Sequence, residues 1–373
     1  MFGAKSVQTF GNEPEKHRDH GRIFTTIRPV NVPKSAQFRH IIKLCFYEYP
    51  PVRGGFEILR NRQMQDETSV FDTSLADLPK GEWSQKVAGI ADEYGYFQAL
   101  GKRHFAAFIE DKPILLVTFE TVQGLRSLSE ASHPMGWELF KSHGWSHLSI
   151  VSDGNTWFRD PQVYAYFDRL VDDGFFDEFE QVVFYGSGSC GYAAAAFSVA
   201  APGATVIAVQ PQATLDPRVT EWDDRFVKMR RANFTTRYGY APDMLDAAEQ
   251  AFVLYDPYVT LDAAHAAMFT RPNVKKLRLP NMGKALQSEL MKMDILLPLI
   301  VTAADDNLTT LKFAKMMRVR RDNRAYLHRL MQKLDSENRD PLTKMLCENV
   351  ISRFKAARFA NRLAKFDAEA TQD

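Results

Sequence analysis

The stretch Gln181-Val-Val-Phe-Tyr-Gly186-Ser-Gly-Ser-Cys-Gly191-Tyr-Ala-Ala-Ala-Ala-Phe197 decides how this chain is read. Val182–Tyr185 is an apolar run, as in a strand covered on both faces. The small residues from Gly186 to Gly191 then allow a turn too tight for large side chains. Tyr192–Phe197 is alanine-rich, which favours a helix and lets it lie close to a sheet. A strand that passes through such a turn into a helix offers backbone N–H groups to an anion above the turn.

The pattern repeats outward from that stretch. Strands are predicted at Phe105–Ile109, Ile114–Phe119, His147–Ser152, Gln181–Tyr185, Thr205–Val209, Ala251–Tyr255 and Val274–Leu279. Helices are predicted between them at Trp137–His143, Pro161–Asp173, Gly191–Ala200, Pro242–Gln250, Leu261–Phe269 and Lys284–Met293. Strands alternating with helices of about ten residues make βαβ units. The expected fold is therefore α/β, a doubly wound, mostly parallel sheet with helices on both faces.

Strands cease after residue 295. Leu327, Leu330, Met331 and Leu334 follow helical spacing, as do Leu342, Met345, Leu346 and Val350. Residues 1–63 show weak periodicity, broken by Pro50-Pro51 and Gly54-Gly55. The expected layout is a poorly ordered extension over 1–63, an α/β domain over 64–300 and a basic helical C-terminal extension over 301–373. Met64 opens the stretch that reads as a folded domain, which makes it a candidate alternative start.

The elbow resembles that of the α/β-hydrolases, in the form strand–Y-G-x-S-x-G-G-Y-A-A found in esterases. The resemblance covers residues 100 to 290 and implies a serine esterase or acyltransferase acting on a small-molecule or acyl substrate. An ungapped match aligns Tyr185-Gly186 and Gly191-Tyr192 and puts Gly188 at the nucleophile position. A shifted register makes Ser189 the nucleophile. Cys190, near a helix N-terminus that lowers a thiol pKa, and Ser187 are further choices. The fold's order then calls for an acid after a later strand and a histidine after the last one. Asp256 ends Ala-Phe-Val-Leu-Tyr-Asp-Pro and is the candidate acid, with Asp262 second. The last strand leads into Gly283-Lys284, where the resemblance implies Gly-His. His265, on a helix, is therefore the candidate base, and Lys284 a substitute. Ser189, Asp256 and His265 form the expected but degenerate triad. The alternative is a non-catalytic binding protein of the same fold.

Other polar groups fall at predicted strand ends, where open parallel sheets bind ligands. They are Glu120-Thr-Val-Gln123, at the place of the second oxyanion donor, Asp153–Trp157 and Gln210–Asp216. Trp222-Asp-Asp-Arg and Arg230-Arg231 lie where a lid would sit. The turn lacks the lysine of a Walker A loop and the spacing of a dinucleotide fingerprint, so no cofactor is expected.

A closer resemblance is to bacterial proteins sharing F-Y-G-x-x-x-C-G-Y-A-A-A-A-[FY]-S-V, Q-P-Q-A-T-L-D-P-R-V and R-Y-G-Y-A-P-D-M, here Phe184–Val199, Gln210–Val219 and Arg237–Met244. Their usual name, phosphoadenosine phosphosulfate reductase, implies sulfonucleotide reduction. That chemistry uses an S-G-G-x-D-S loop and an E-C-G-x-x-H nucleophile, and neither occurs in this sequence.

Composition sets the remaining bounds. The net charge of +1 hides a basic start (+6 over residues 1–62), a basic end (+7 over 311–373) and an acidic middle. Solvated helix faces account for this, and nucleic acid is not the expected partner. Cys45, Cys190 and Cys347 are too far apart for a disulfide framework or zinc site. No apolar run is long enough to span a bilayer, and no signal peptide is read at the start. The expected location is the cytoplasm.

Overall fold

The computed structural model describes residues 70–111 and 113–369, so the extension expected over 1–63 lies outside the described residues. The eight strands are β1 (Gly95–Leu100), β2 (His104–Ile109), β3 (Ile114–Thr121), β4 (Ser146–Ser152), β5 (Gln181–Ser187), β6 (Thr205–Val209), β7 (Gln250–Tyr255) and β8 (Val274–Arg278). They form one sheet in the order β1-β2-β4-β3-β5-β6-β7-β8. β2 is antiparallel to both β1 and β4, and every pair from β4 to β8 is parallel. The crossovers carry helices to both faces, as the alternating pattern requires.

Side chains along each strand alternate between two cores. In β3, Leu115, Val117 and Phe119 face the helices Pro161–Asp172 and Ser189–Phe197. Leu116 faces the other way, toward Leu286, Leu290 and the helix Leu296–Ala304. A third cluster joins Trp83, Val87 and Ile90 of the helix Lys80–Tyr94 to Ala107 and Ile109. Thr118 and Glu120 share the face of Leu116, which places polar groups inside an otherwise apolar layer.

Two expectations are corrected. The helix expected over Pro242–Gln250 is one short turn, Ala241–Met244, with a 3-10 turn at Leu245–Ala247. Gln250 already belongs to β7, paired with Thr205 of β6, and its side-chain amide donates to Asp306 Oδ1 at 2.6 Å. The C-terminal helical extension consists of Arg324–Ser336, Asp340–Arg353 and Ala357–Glu369. Leu327, Met331, Cys347, Val350 and Phe359 form its core, whereas Met345, expected inside, is 63% exposed. The tail is tied to the helix Leu286–Lys292 and to the loop after β8. Asn323 Nδ2 donates to Glu289 Oε2 at 3.0 Å, and Arg329 Nε donates to the Asn281 carbonyl at 2.8 Å. Among the described residues, no helix is long and apolar enough to cross a membrane.

Candidate functional site

The end of β5 is built from backbone constraints. A Cβ on Gly186 would stand 2.1 Å from the carbonyl oxygen of Cys190, so only glycine fits where strand and helix cross. Gly188 follows at φ 61° and ψ −122°, a conformation that L side chains rarely adopt. Its N–H donates to the Val209 carbonyl at 2.8 Å, and its own carbonyl accepts from Tyr192 N at 3.0 Å. Gly188 is thus the last residue of the ladder and the cap of the helix. The residue at a nucleophile elbow occupies this strained tip. The chain has the α/β-hydrolase fold.

In that fold the tip of the elbow carries the attacking side chain, and here it carries none. Among the described residues, nothing lies within 4 Å of where a Cβ on Gly188 would be. Ser187 and Ser189 flank the tip and are half-buried. Burial pushes the Cys190 thiol up to about 12, with Glu120, ionised at so high a pH, adding to it and a hydrogen bond with Ser189 opposing. The lowered pKa expected from the helix N-terminus is therefore reversed, because desolvation outweighs it. Cys190 is a thiol and a poor nucleophile at neutral pH.

Asp256 stands at the end of β7, 1% exposed, with both carboxylate oxygens engaged by backbone. Tyr258 N donates to Oδ1 at 2.9 Å and Gly283 N to Oδ2 at 2.6 Å. It therefore fixes the loop after β8, and Lys284 beyond it is exposed. Asp256→Ala leaves two amides without their acceptor, and a stability loss of about 2 kcal/mol is expected in urea unfolding. An unchanged midpoint would show that those bonds contribute nothing to stability.

His265 is fully buried with both nitrogens occupied. Ala213 N donates to Nδ1 at 3.1 Å, so Nε2 carries the hydrogen and donates to Asp223 Oδ2 at 2.9 Å. Burial holds its pKa below the ordinary value, against the pull of Asp223. Asp262 belongs to the same network, accepting from Arg225 Nη1 and Gln210 Nε2, both at 2.6 Å. His265 thus ties the segment around Asp223, which follows β6, to the helix Thr260–Met268. Arg230 donates to the carbonyls of Glu221 and Asp223 rather than standing free. Among the described residues, Ser189, Asp256 and His265 make no hydrogen bonds to one another.

A cavity of about 1290 Å³ lies over the elbow at the carboxyl ends of the strands. Its wall includes Glu120, Trp157, Gly188, Ser189, Cys190 and Gln212. Trp157 Nε1 donates to Gln212 Oε1 at 3.2 Å, which holds the indole in place. Among the described residues, no group of three metal-ligating side chains converges.

Glu120 is a buried carboxyl of the cavity wall, 8% exposed. Thr118 Oγ1 and Ser149 Oγ donate to its Oε2 at 2.8 and 2.9 Å, and Met135 N donates to Oε1 at 3.2 Å. Burial raises its pKa, and those hydrogen bonds only partly offset this. Because the Thr118 hydroxyl donates to Glu120, it accepts from His147 Nε2, 2.8 Å away. Among the described residues, His147 Nδ1 and Tyr185 Oη, both buried, have no hydrogen-bond partner. Burial lowers the His147 pKa to about 3 and raises that of Tyr185 well above its ordinary value. The sequence reading placed Glu120 at a strand end but missed His147. The sequence signal was the polar residues Thr118, His147 and Ser149 interleaved with apolar residues in two buried strands.

No protein-family model matches the chain, and neither does any curated protein sequence. Among solved structures it is similar to the Glycosylation Associate Protein (Gap123) complex from Streptococcus agalactiae, at 12% identity and a TM-score of 0.38. That match covers 55% of this chain and 45% of the other, so this chain spans less than half of that relative's length. It is also similar to a hyperthermophilic esterase from Pyrobaculum calidifontis, at 13% identity, 70% and 98% coverage and a TM-score of 0.32. A third is Thermogutta terrifontis esterase 2, at 12% identity, 55% and 91% coverage and a TM-score of 0.39. The fold assignment rests on strand order and elbow geometry, not on these likenesses.

Proposed function

We propose that this chain is a non-catalytic α/β-hydrolase-fold protein that binds a small molecule in the cavity over its elbow. The observation that carries this reading is Gly188 at the strained tip, with open space above it and no side chain to attack a carbonyl. Two further observations support it. Asp256 is committed to the Gly283 and Tyr258 amides, and His265 to Ala213 and Asp223. A serine without a positioned base is a poor nucleophile at neutral pH.

Ser189 supports the second reading, a serine esterase or acyltransferase. It faces the cavity at the first position of the helix, where N–H groups could hold an oxyanion. One experiment separates the two. A fluorophosphonate probe is expected to leave the protein unlabelled, and short acyl esters are expected to turn over no faster than in buffer. Labelling that disappears in Ser189→Ala would establish the serine reading instead. A sulfonucleotide reductase, the third expectation, needs a reactive thiolate. Cys190 is held as a thiol, and Cys347 is packed in the C-terminal helices with its thiol 4.0 Å from Met331 Sδ.

A further inference from the structure

We propose that Glu120 is the recognition group of the cavity, a carboxylic acid that donates its hydrogen to the carbonyl oxygen of an uncharged ester, amide or ketone seated over Gly188. The proposal rests on the non-covalent binding reading and gives it a ligand class.

Strand register places the two residues together. β3 and β5 are parallel neighbours with Thr118 beside Tyr185. The pairing ends there; continued two residues along both strands, it sets Glu120 beside Ser187, next to Gly188. Both Glu120 and Gly188 line the cavity. The missing side chain at Gly188 leaves room where a nucleophile would otherwise meet the ligand.

The hydrogen-bond inventory then fixes where the acid hydrogen goes. The two hydroxyl donors fill the lone pairs of Oε2. Among the described residues Oε1 accepts only from Met135 N, at 3.2 Å, which leaves a second lone-pair direction on it. A hydrogen on Oε1 is therefore the one available to a ligand. No lysine, arginine or histidine among the described residues forms an ion pair with Glu120, so a buried negative charge there would have no counter-ion. A carboxyl kept neutral by an apolar site acts as a donor toward carbonyl oxygen. The same group, once ionised, would repel that oxygen and attract an amine. The cavity thus discriminates by hydrogen-bond polarity, with Thr118 and Ser149 holding the carboxyl in one orientation.

The test has two parts. An infrared difference spectrum between the wild type and Glu120→Gln, at neutral pH, should contain the carbonyl stretch of a buried protonated acid. Its absence would overturn the proposal. Binding of hexanamide and hexylamine is then measured by calorimetry. Hexanamide should bind, and hexylamine should not. Hexanamide affinity should fall about tenfold in Glu120→Ala, the loss of one hydrogen bond. It should also fall as rising pH ionises Glu120. Glu120→Gln keeps an N–H donor, so it should retain hexanamide binding and lose the pH dependence. Hexylamine preferred over hexanamide, no hexanamide binding, or one pH profile for wild type and Gln variant would each overturn the proposal. If Glu120→Ala does not fold, the Gln variant still decides. Failure here leaves the non-catalytic reading standing, because ester turnover and probe labelling decide that one.

Discussion

Gly186→Ala is expected to cost more stability than any other single methyl added to the elbow, about 4 kcal/mol or outright failure to fold. The added Cβ would stand 2.1 Å from the Cys190 carbonyl oxygen and 2.4 Å from its carbon. Both are backbone atoms of the helix that follows, so no side chain can swing aside. Relief requires the helix Ser189–Phe197 to move away from the sheet, and its eight residues from Cys190 to Phe197 are all buried. Interiors packed at crystal-like density do not accommodate such a shift cheaply. Gly188→Ala is the control. Among the described residues its Cβ meets nothing within 4 Å, and its cost is the strained φ/ψ alone, about 1–3 kcal/mol. Denaturant midpoints of the two variants give the comparison. If Gly188→Ala were the more damaging, the crossing of β5 and the helix would not be where we place it. Gly188→Ser should behave like Gly188→Ala in stability, since the space above the tip is open.

These constraints explain why the elbow was legible in the sequence. A run of small residues between an apolar strand and an alanine-rich segment has few structural solutions, and the ungapped register already set Gly188 at the tip. β6 was legible for a similar reason, because it is buried at every residue and reads as an apolar run. β4 is equally buried but carries Ser146, His147, Ser149 and Ser152, so only Leu148, Ile150 and Val151 mark it as a core strand. β1 was not legible. It is an edge strand with five of its six residues partly or fully exposed, so it shows neither alternation nor an apolar run. The site was less legible than the fold because its partners are distant in the chain. His265 meets Asp223, 42 positions earlier, and Ser149 meets Glu120, 29 positions earlier. Local spacing encodes the helix or strand each residue sits on, but not which strand lies beside it. The Cys190 expectation failed for a different reason. The sequence places it at a helix N-terminus, which lowers a thiol pKa, but does not reveal its burial beside Glu120, which raises it.

The buried pair His147 and Glu120 should give the protein an acid response that two variants pull in opposite directions. His147 is buried and neutral, with its pKa lowered by burial to about 3. An unfolded histidine titrates near about 6.5, so on acidification the unfolded state takes up the proton first. Stability is therefore intact above about pH 6.5 and falls at about 1.4 kcal/mol per pH unit toward about pH 3. By about pH 4.5 the His147 loss should reach about 3 kcal/mol. Glu120 has the opposite sign. Its folded pKa is raised by burial, so its contribution is complete below the unfolded value near about 4.3 and is lost as pH rises toward the folded one. Acidification thus costs stability at His147 and recovers some at Glu120. His147→Gln keeps a donor for Thr118 but does not titrate, so between about pH 6.5 and 4.5 it should lose about 3 kcal/mol less than the wild type. Glu120→Gln should lose more than the wild type over the same interval. Urea unfolding of the three proteins at the two pH values reads both differences. Equal slopes for His147→Gln and the wild type would mean that His147 is not held neutral in the fold. The relay from His147 through Thr118 to Glu120 would then not be the neutral chain that the hydrogen bonds describe.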